Sequence, residues 1–80
     1  MGTYHEQFTG LRMVFEFTYY SNAAFKHFQT TIDEFQLQDE DLRRIRGYVE
    51  GLRQEYPEAQ VSQWVIYCFG NQGFRVFEVT

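Results

Sequence analysis

The chain has 80 residues, 7 basic and 11 acidic side chains, and a formal net charge of −4. That balance argues against a large phosphate-neutralising surface, and so against a broad nucleic-acid interface or adhesion to an anionic membrane. A single cysteine excludes an internal disulfide, no cysteine pair offers metal-ligand spacing, and no apolar run approaches the ~20 residues of a membrane span.

A chain this short buries only about 60% of the surface that its unfolded form exposes, which leaves its own core marginal. The usual remedies are disulfides, a metal or oligomerisation. The first two have no support in the sequence, so self-association or a partner is expected. Aromatic residues make up 20% of the chain. They suit a small core, and they are also enriched at protein interfaces, so only their placement separates the two uses. One thiol within an apolar strand fits a reducing compartment. "MGTYHEQFTG" lacks a basic stretch followed by an apolar one. Both features point to a cytoplasmic protein.

In chain order, residues 1–12 are the least committed: a short extra strand, a flexible arm, or an upstream extension ahead of Met13. "MVFEFTYY", Met13 to Tyr20, alternates and is rich in β-formers, which predicts a first strand. One of its faces carries Met13, Phe15, Phe17 and Tyr19, and the other Val14, Glu16, Thr18 and Tyr20. Ser21 or Asn22 offers an N-cap to "AAFKHFQTTIDEF", where Phe25, Phe28, Ile32 and Phe35 recur at helical spacing. A second helix is predicted from Gln38 or Asp39 to the residue before Pro57, with Leu42, Ile45, Val49, Leu52 and Tyr56 on its apolar stripe. Asp39, Glu40 and Asp41 suit the positive end of its dipole, and Asp39–Arg43, Glu40–Arg44 and Arg46–Glu50 are i,i+4 pairs. Gly47 and Gly51 lie opposite the stripe and weaken the helix. Val61–Phe69 and Phe74–Val79 then form a hairpin around "GNQG".

The expectation is an α+β fold of order β-α-α-β-β, with a three-stranded, mainly antiparallel sheet and two helices packed on one face. Two helices cover one face only, yet both faces of the closing hairpin are apolar. With Phe15, Phe17, Tyr19, Trp64, Ile66, Cys68, Phe77 and Val79 turned to the helices, the open face shows Tyr20, Val65, Tyr67, Phe69, Phe74 and Val76. A contiguous apolar face of that extent exceeds what monomers tolerate, so these six residues are the expected partner-binding set, with a second copy as the leading occupant. Reversing a strand changes the names and leaves the conclusion standing.

Catalytic features are sparse. His27 falls on the solvent side of the first helix, His5 lies in the uncommitted segment, and Cys68 reads as a small buried hydrophobe. No phosphate loop, metal cluster or paired carboxylates appear, so neither cofactor nor catalytic residues are expected. "NQGFRVFEV" resembles the aromatic strand of RNA-recognition domains over a handful of residues. That resemblance implies base stacking on Tyr67, Phe69 and Phe74 beside Arg75. The chain departs from the family in having no helix and strand after Val79 and in its acidic balance. The sequence therefore reads as a non-enzymatic protein-binding module, a homodimeric regulator or inhibitor of the size and charge of phage- or mobile-element-borne proteins. A single-strand nucleic-acid binder is the alternative.

Overall fold

The computed structural model describes residues 2–8 and 11–79, with side chains for residue 5 and for 11–79. Four strands and two helices follow in the order β1 (Gly2–Phe8), β2 (Leu11–Tyr20), α1 (Asn22–Lys26), α2 (Asp39–Glu55), β3 (Gln60–Phe69) and β4 (Gly73–Val79). The α+β class and the order strand–helix–helix–strand–strand hold from residue 11 onward. The N-terminal segment adds a strand, so the sheet has four strands in the order β1-β2-β3-β4.

The sheet is mixed rather than mainly antiparallel. β1 runs antiparallel to β2 and β4 antiparallel to β3, but the central pair β2/β3 is parallel, with Phe15 beside Trp64 and Phe17 beside Ile66. The cause lies in the helices. A long pair running out and back would return the chain to the end of the sheet where it left. Instead α1 has only 5 residues, while α2 has 17 and rises about 25 Å at ~1.5 Å per residue. One long return helix nearly matches a ten-residue strand of about 33 Å, so β3 starts where β2 started.

α1 stops early for both local and long-range reasons. Ser21 caps it by accepting from the Ala24 N–H at 3.1 Å. Gln29 then takes a left-handed φ of 53°, which ends helical geometry. The β-branched pair Thr30–Thr31 follows, and Thr31 Oγ1 accepts from the Glu34 N–H at 3.2 Å. Beyond it, the carbonyls of Ile32, Asp33 and Phe35 accept from Arg75 on β4, the first at 2.8 Å. Arg75 thus fixes the connecting loop over the sheet in place of a second helical turn.

The aromatic spacing that suggested a helix still has a structural meaning. Phe35 is buried at the centre of a ring cluster, with centroids 4.9 Å from Tyr67 and Phe69 and 5.0 Å from Phe28. Phe25 packs on Phe69 at 4.3 Å. Under α2 the core continues through Val14, Ile45, Val49 and Val65.

The β3–β4 loop docks on the start of α1. The Gly70 N–H donates to the Tyr20 carbonyl at 2.8 Å, and the Asn71 N–H donates to Asn22 Oδ1. A Cβ on Gly70 would lie 1.9 Å from Asn22 Oδ1, and its φ is +50°, so both space and backbone require glycine there.

Candidate protein-binding face

The two faces of the sheet divide the strand residues cleanly. Toward the helices point Arg12, Val14, Glu16, Thr18 and Tyr20 from β2, Gln63, Val65, Tyr67 and Phe69 from β3, and Arg75, Phe77 and Val79 from β4. The registers Val65↔Phe77 and Cys68↔Phe74 fix this division across the hairpin. Away from the helices point Met13, Phe15, Phe17 and Tyr19, then Ser62, Trp64, Ile66 and Cys68, then Phe74, Val76 and Glu78.

This reverses the expected assignment for β2 and β3. Val65, Tyr67 and Phe69 are fully buried beneath the helices, and Tyr20 packs against the same core. These four of the six expected partner-binding residues are therefore core. Phe74 and Val76 do lie on the open face, 67% and 42% exposed. Beside them stand Tyr19 at 61% and Phe17 at 40%, which the sequence reading had placed inside. Phe77 and Val79 do face the helices, but with Val65 and Gln63 rather than with Trp64, Ile66 and Cys68.

The reason for the reversal is electrostatic. The helix-facing side of β2 carries Glu16, which is completely buried, and its Oε1 accepts from Arg44 Nη1 at 2.9 Å. The same guanidinium reaches Asp41 at 3.2 Å and Glu40 at 3.0 Å. The buried Asp41 carboxylate accepts from the Tyr67 hydroxyl at 2.6 Å and from Thr18 Oγ1 at 3.4 Å, and the Gln38 N–H donates to the Tyr67 oxygen at 3.0 Å. Burial, and then the hydrogen bond to Asp41, push the Tyr67 phenol well above its ordinary value. Burial also raises Tyr20. A buried carboxylate needs a cation, and Arg44 on α2 supplies it, so Glu16 goes inward and the phenylalanines beside it go outward.

The open face forms three cross-strand rows: Phe15–Trp64–Glu78, Phe17–Ile66–Val76 and Tyr19–Cys68–Phe74. The Phe15 and Phe17 rings lie 6.1 Å apart. Trp64 satisfies its indole N–H by donating to Ser62 Oγ at 2.7 Å, which leaves the ring available for apolar contact. Cys68 is half-buried between Tyr19 and Phe74, the two most exposed aromatic residues among those described. Among the described residues of this face, the only charged side chain is Glu78, at one end of the β4 edge.

The other side chains weighed for chemistry lie apart. His27 is exposed at the C-cap of α1. His5 is 3.3 Å from Arg12 Nη1 and edge-on to Tyr48, while Arg12 stacks 3.5 Å over the Tyr56 ring. Among the described residues no group of three or more His, Cys, Asp or Glu side chains could hold a metal ion, and no helix is long and apolar enough to cross a membrane. Gly47 and Gly51 face open space, with no atom within 4 Å of an added Cβ.

Sequence reasoning missed Phe15, Phe17, Tyr19, Trp64, Ile66 and Cys68 as the open-face set. Two signals were available. Pairing across the short loop sets odd positions of β3 against odd positions of β4, which separates Ile66 from Phe77. Glu16 in an apolar strand calls for a cation, and Arg44 stands on the adjacent helix. Asp41, read as a helix-start acid, has the further task of holding Tyr67. Comparison with known proteins finds no match: no family model, curated protein or solved structure is detectably similar to this chain.

Proposed function

We propose that this chain is a small, non-enzymatic protein-binding module that acts as a regulator or inhibitor through the open aromatic face of its sheet. One observation carries the reading. Phe17, Tyr19, Phe74 and Val76 are exposed side by side on a face whose remaining described row is Phe15–Trp64–Glu78. Scattered single hydrophobics are ordinary on a protein surface, whereas a contiguous aromatic patch marks a contact site. Aromatic side chains also supply most of the energetic centres of protein interfaces.

The single-strand nucleic-acid reading loses two of its three expected stacking residues. Tyr67 and Phe69 are buried, and Arg75 is engaged with loop carbonyls on the opposite side of the sheet. The described open face has aromatic rings but no lysine or arginine to meet phosphates, which single-strand binding normally requires.

Site-specific photo-crosslinking in the producing cell tests the proposal. A photoreactive residue at Tyr19 or Phe74 is expected to give discrete protein adducts, and one at Arg43 on the exposed side of α2 is not. Absence of adducts from both sheet positions overturns the reading. Nucleic-acid adducts at those positions in place of protein would favour the alternative.

A further inference from the structure

We infer that the occupant of the open face is a second copy of this chain, packed sheet to sheet about a two-fold axis near Phe17 and Ile66. The assembly would have four layers in the order helix, sheet, sheet, helix. This rests on the proposed protein-binding role of the face and names its partner.

The first argument is the distribution of polarity within β2. Its helix-covered side holds Arg12, Glu16 and Thr18, all buried, while its uncovered side holds Met13, Phe15, Phe17 and Tyr19. A strand whose more apolar side faces away from its own helices has a second core to build. A chain of 80 residues with so polar a primary core has strong reason to bury the other face.

The second argument is charge. The chain carries −4 overall, so two copies repel wherever their acids approach. The described open face carries Glu78 alone, at the rim, where it stays in water when two sheets stack. Asp39, Glu40, Glu50 and Glu55 lie on α2, at the outer layers of the assembly. Among its described residues the face offers only Glu78 with which to select a charged partner, and there it meets its own copy at little electrostatic cost.

The third argument is area. The two central strands have 10 residues each and the two edge strands 7, so at ~3.3 Å per residue they run about 33 Å and about 23 Å, each ~4.8 Å wide. Summed over the staggered strands, that is on the order of 540 Å² in plan for each copy, and more over the corrugated side chains. A standard stable interface takes ~800 Å² per partner, which this face approaches when stacked on itself at ~10 Å. An isologous contact requires one self-complementary patch, and the described part of this face, apolar with Glu78 at a corner, provides it.

Sedimentation equilibrium over a dilution series decides the matter. The wild-type chain is expected to show twice its 9.7 kDa mass down to about 10 μM. Ile66→Glu and Phe74→Glu are each expected to weaken the association at least tenfold with an unchanged far-ultraviolet spectrum. Should Ile66→Glu fail to fold, Phe74→Glu carries the test, because that side chain is already mostly exposed in one copy. A wild-type mass of one chain at about 100 μM overturns the inference. So does a two-chain mass that survives Phe74→Glu. Protein adducts at Tyr19 or Phe74 that contain no second copy of the chain would leave the face a protein-binding site and remove only its self-pairing.

Discussion

The two faces of this sheet are both apolar, but they differ in what holds them. The helix-covered face mixes a ring cluster around Phe35 with a buried polar layer of Glu16, Asp41, Arg44 and Tyr67. The open face is almost uniformly aromatic and aliphatic, and among the described residues it lacks any such layer. Directional bonds set the register of α2 over the sheet, because Arg44 donates to Glu16 on β2 while Asp41 accepts from Thr18 on β2 and Tyr67 on β3. Among its described residues the open face has no equivalent. Hydrophobicity alone does not say which face of a strand is the inside.

The largest expected effect lies at the centre of the covered face. Phe35→Ala removes the ring that touches Tyr67, Phe69 and Phe28, and it should cost about 3–5 kcal/mol in chemical denaturation. A loss below about 1 kcal/mol would mean that the ring cluster is not the core of this face.

A more selective probe is Tyr67→Phe, which deletes the hydroxyl shared by Asp41 and the Gln38 N–H and should cost about 1–2 kcal/mol near neutral pH. It should also change the alkaline response. In the folded protein Tyr67 holds its proton above the ordinary value of 10.0, through burial and the bond to Asp41. The unfolded chain releases that proton near pH 10.0 while the folded chain keeps it. The folded state therefore binds more protons above that pH, and stability falls as pH rises further, by up to about 1.4 kcal/mol per pH unit for one such group. Denaturation midpoints of the wild-type chain should drop above pH 10.0, and Tyr67→Phe should flatten that slope. An equal slope in both proteins would assign it to other groups, Tyr20 first among them.

Gly47→Ala and Gly51→Ala act away from both faces. Each adds a methyl group to open space within α2 and should raise stability by about 0.5–1 kcal/mol. A loss in either would reveal a contact on the outer side of α2 and would weaken the view that the sheet alone meets partners.

The smallest effect is the most diagnostic of the comparison. Phe74→Ser removes a side chain that is 67% exposed in one copy, so at high dilution it should change stability by no more than about 0.5 kcal/mol. At high protein concentration the wild-type chain should gain stability from mass action and the variant should not. A loss at Phe74 that is equally large at every concentration would place its contacts within the single chain.

Much of this architecture was legible in the residues. Alternation placed strands at Met13–Tyr20 and in the closing hairpin, and helical spacing with Pro57 bounded α2. The existence of an uncovered apolar face followed from counting two helices against two apolar sides. The parallel central pair was not legible, because it depends on α1 ending after 5 residues. That ending rests on the left-handed Gln29 and on Arg75, 43 positions from Ile32 along the chain. The membership of the open face was not legible either. Period-two alternation says which residues share a side, and it is silent on which side meets the helices when both are apolar. The chain by itself determined three of its strands, its long second helix, its aromatic surplus and the presence of apolar residues on both sides of the sheet. Only the tertiary structure decided that Glu16 turns inward to Arg44 and that Phe17, Tyr19 and Phe74 are left exposed on the open face, because a buried carboxylate has to find its cation across space rather than along the sequence.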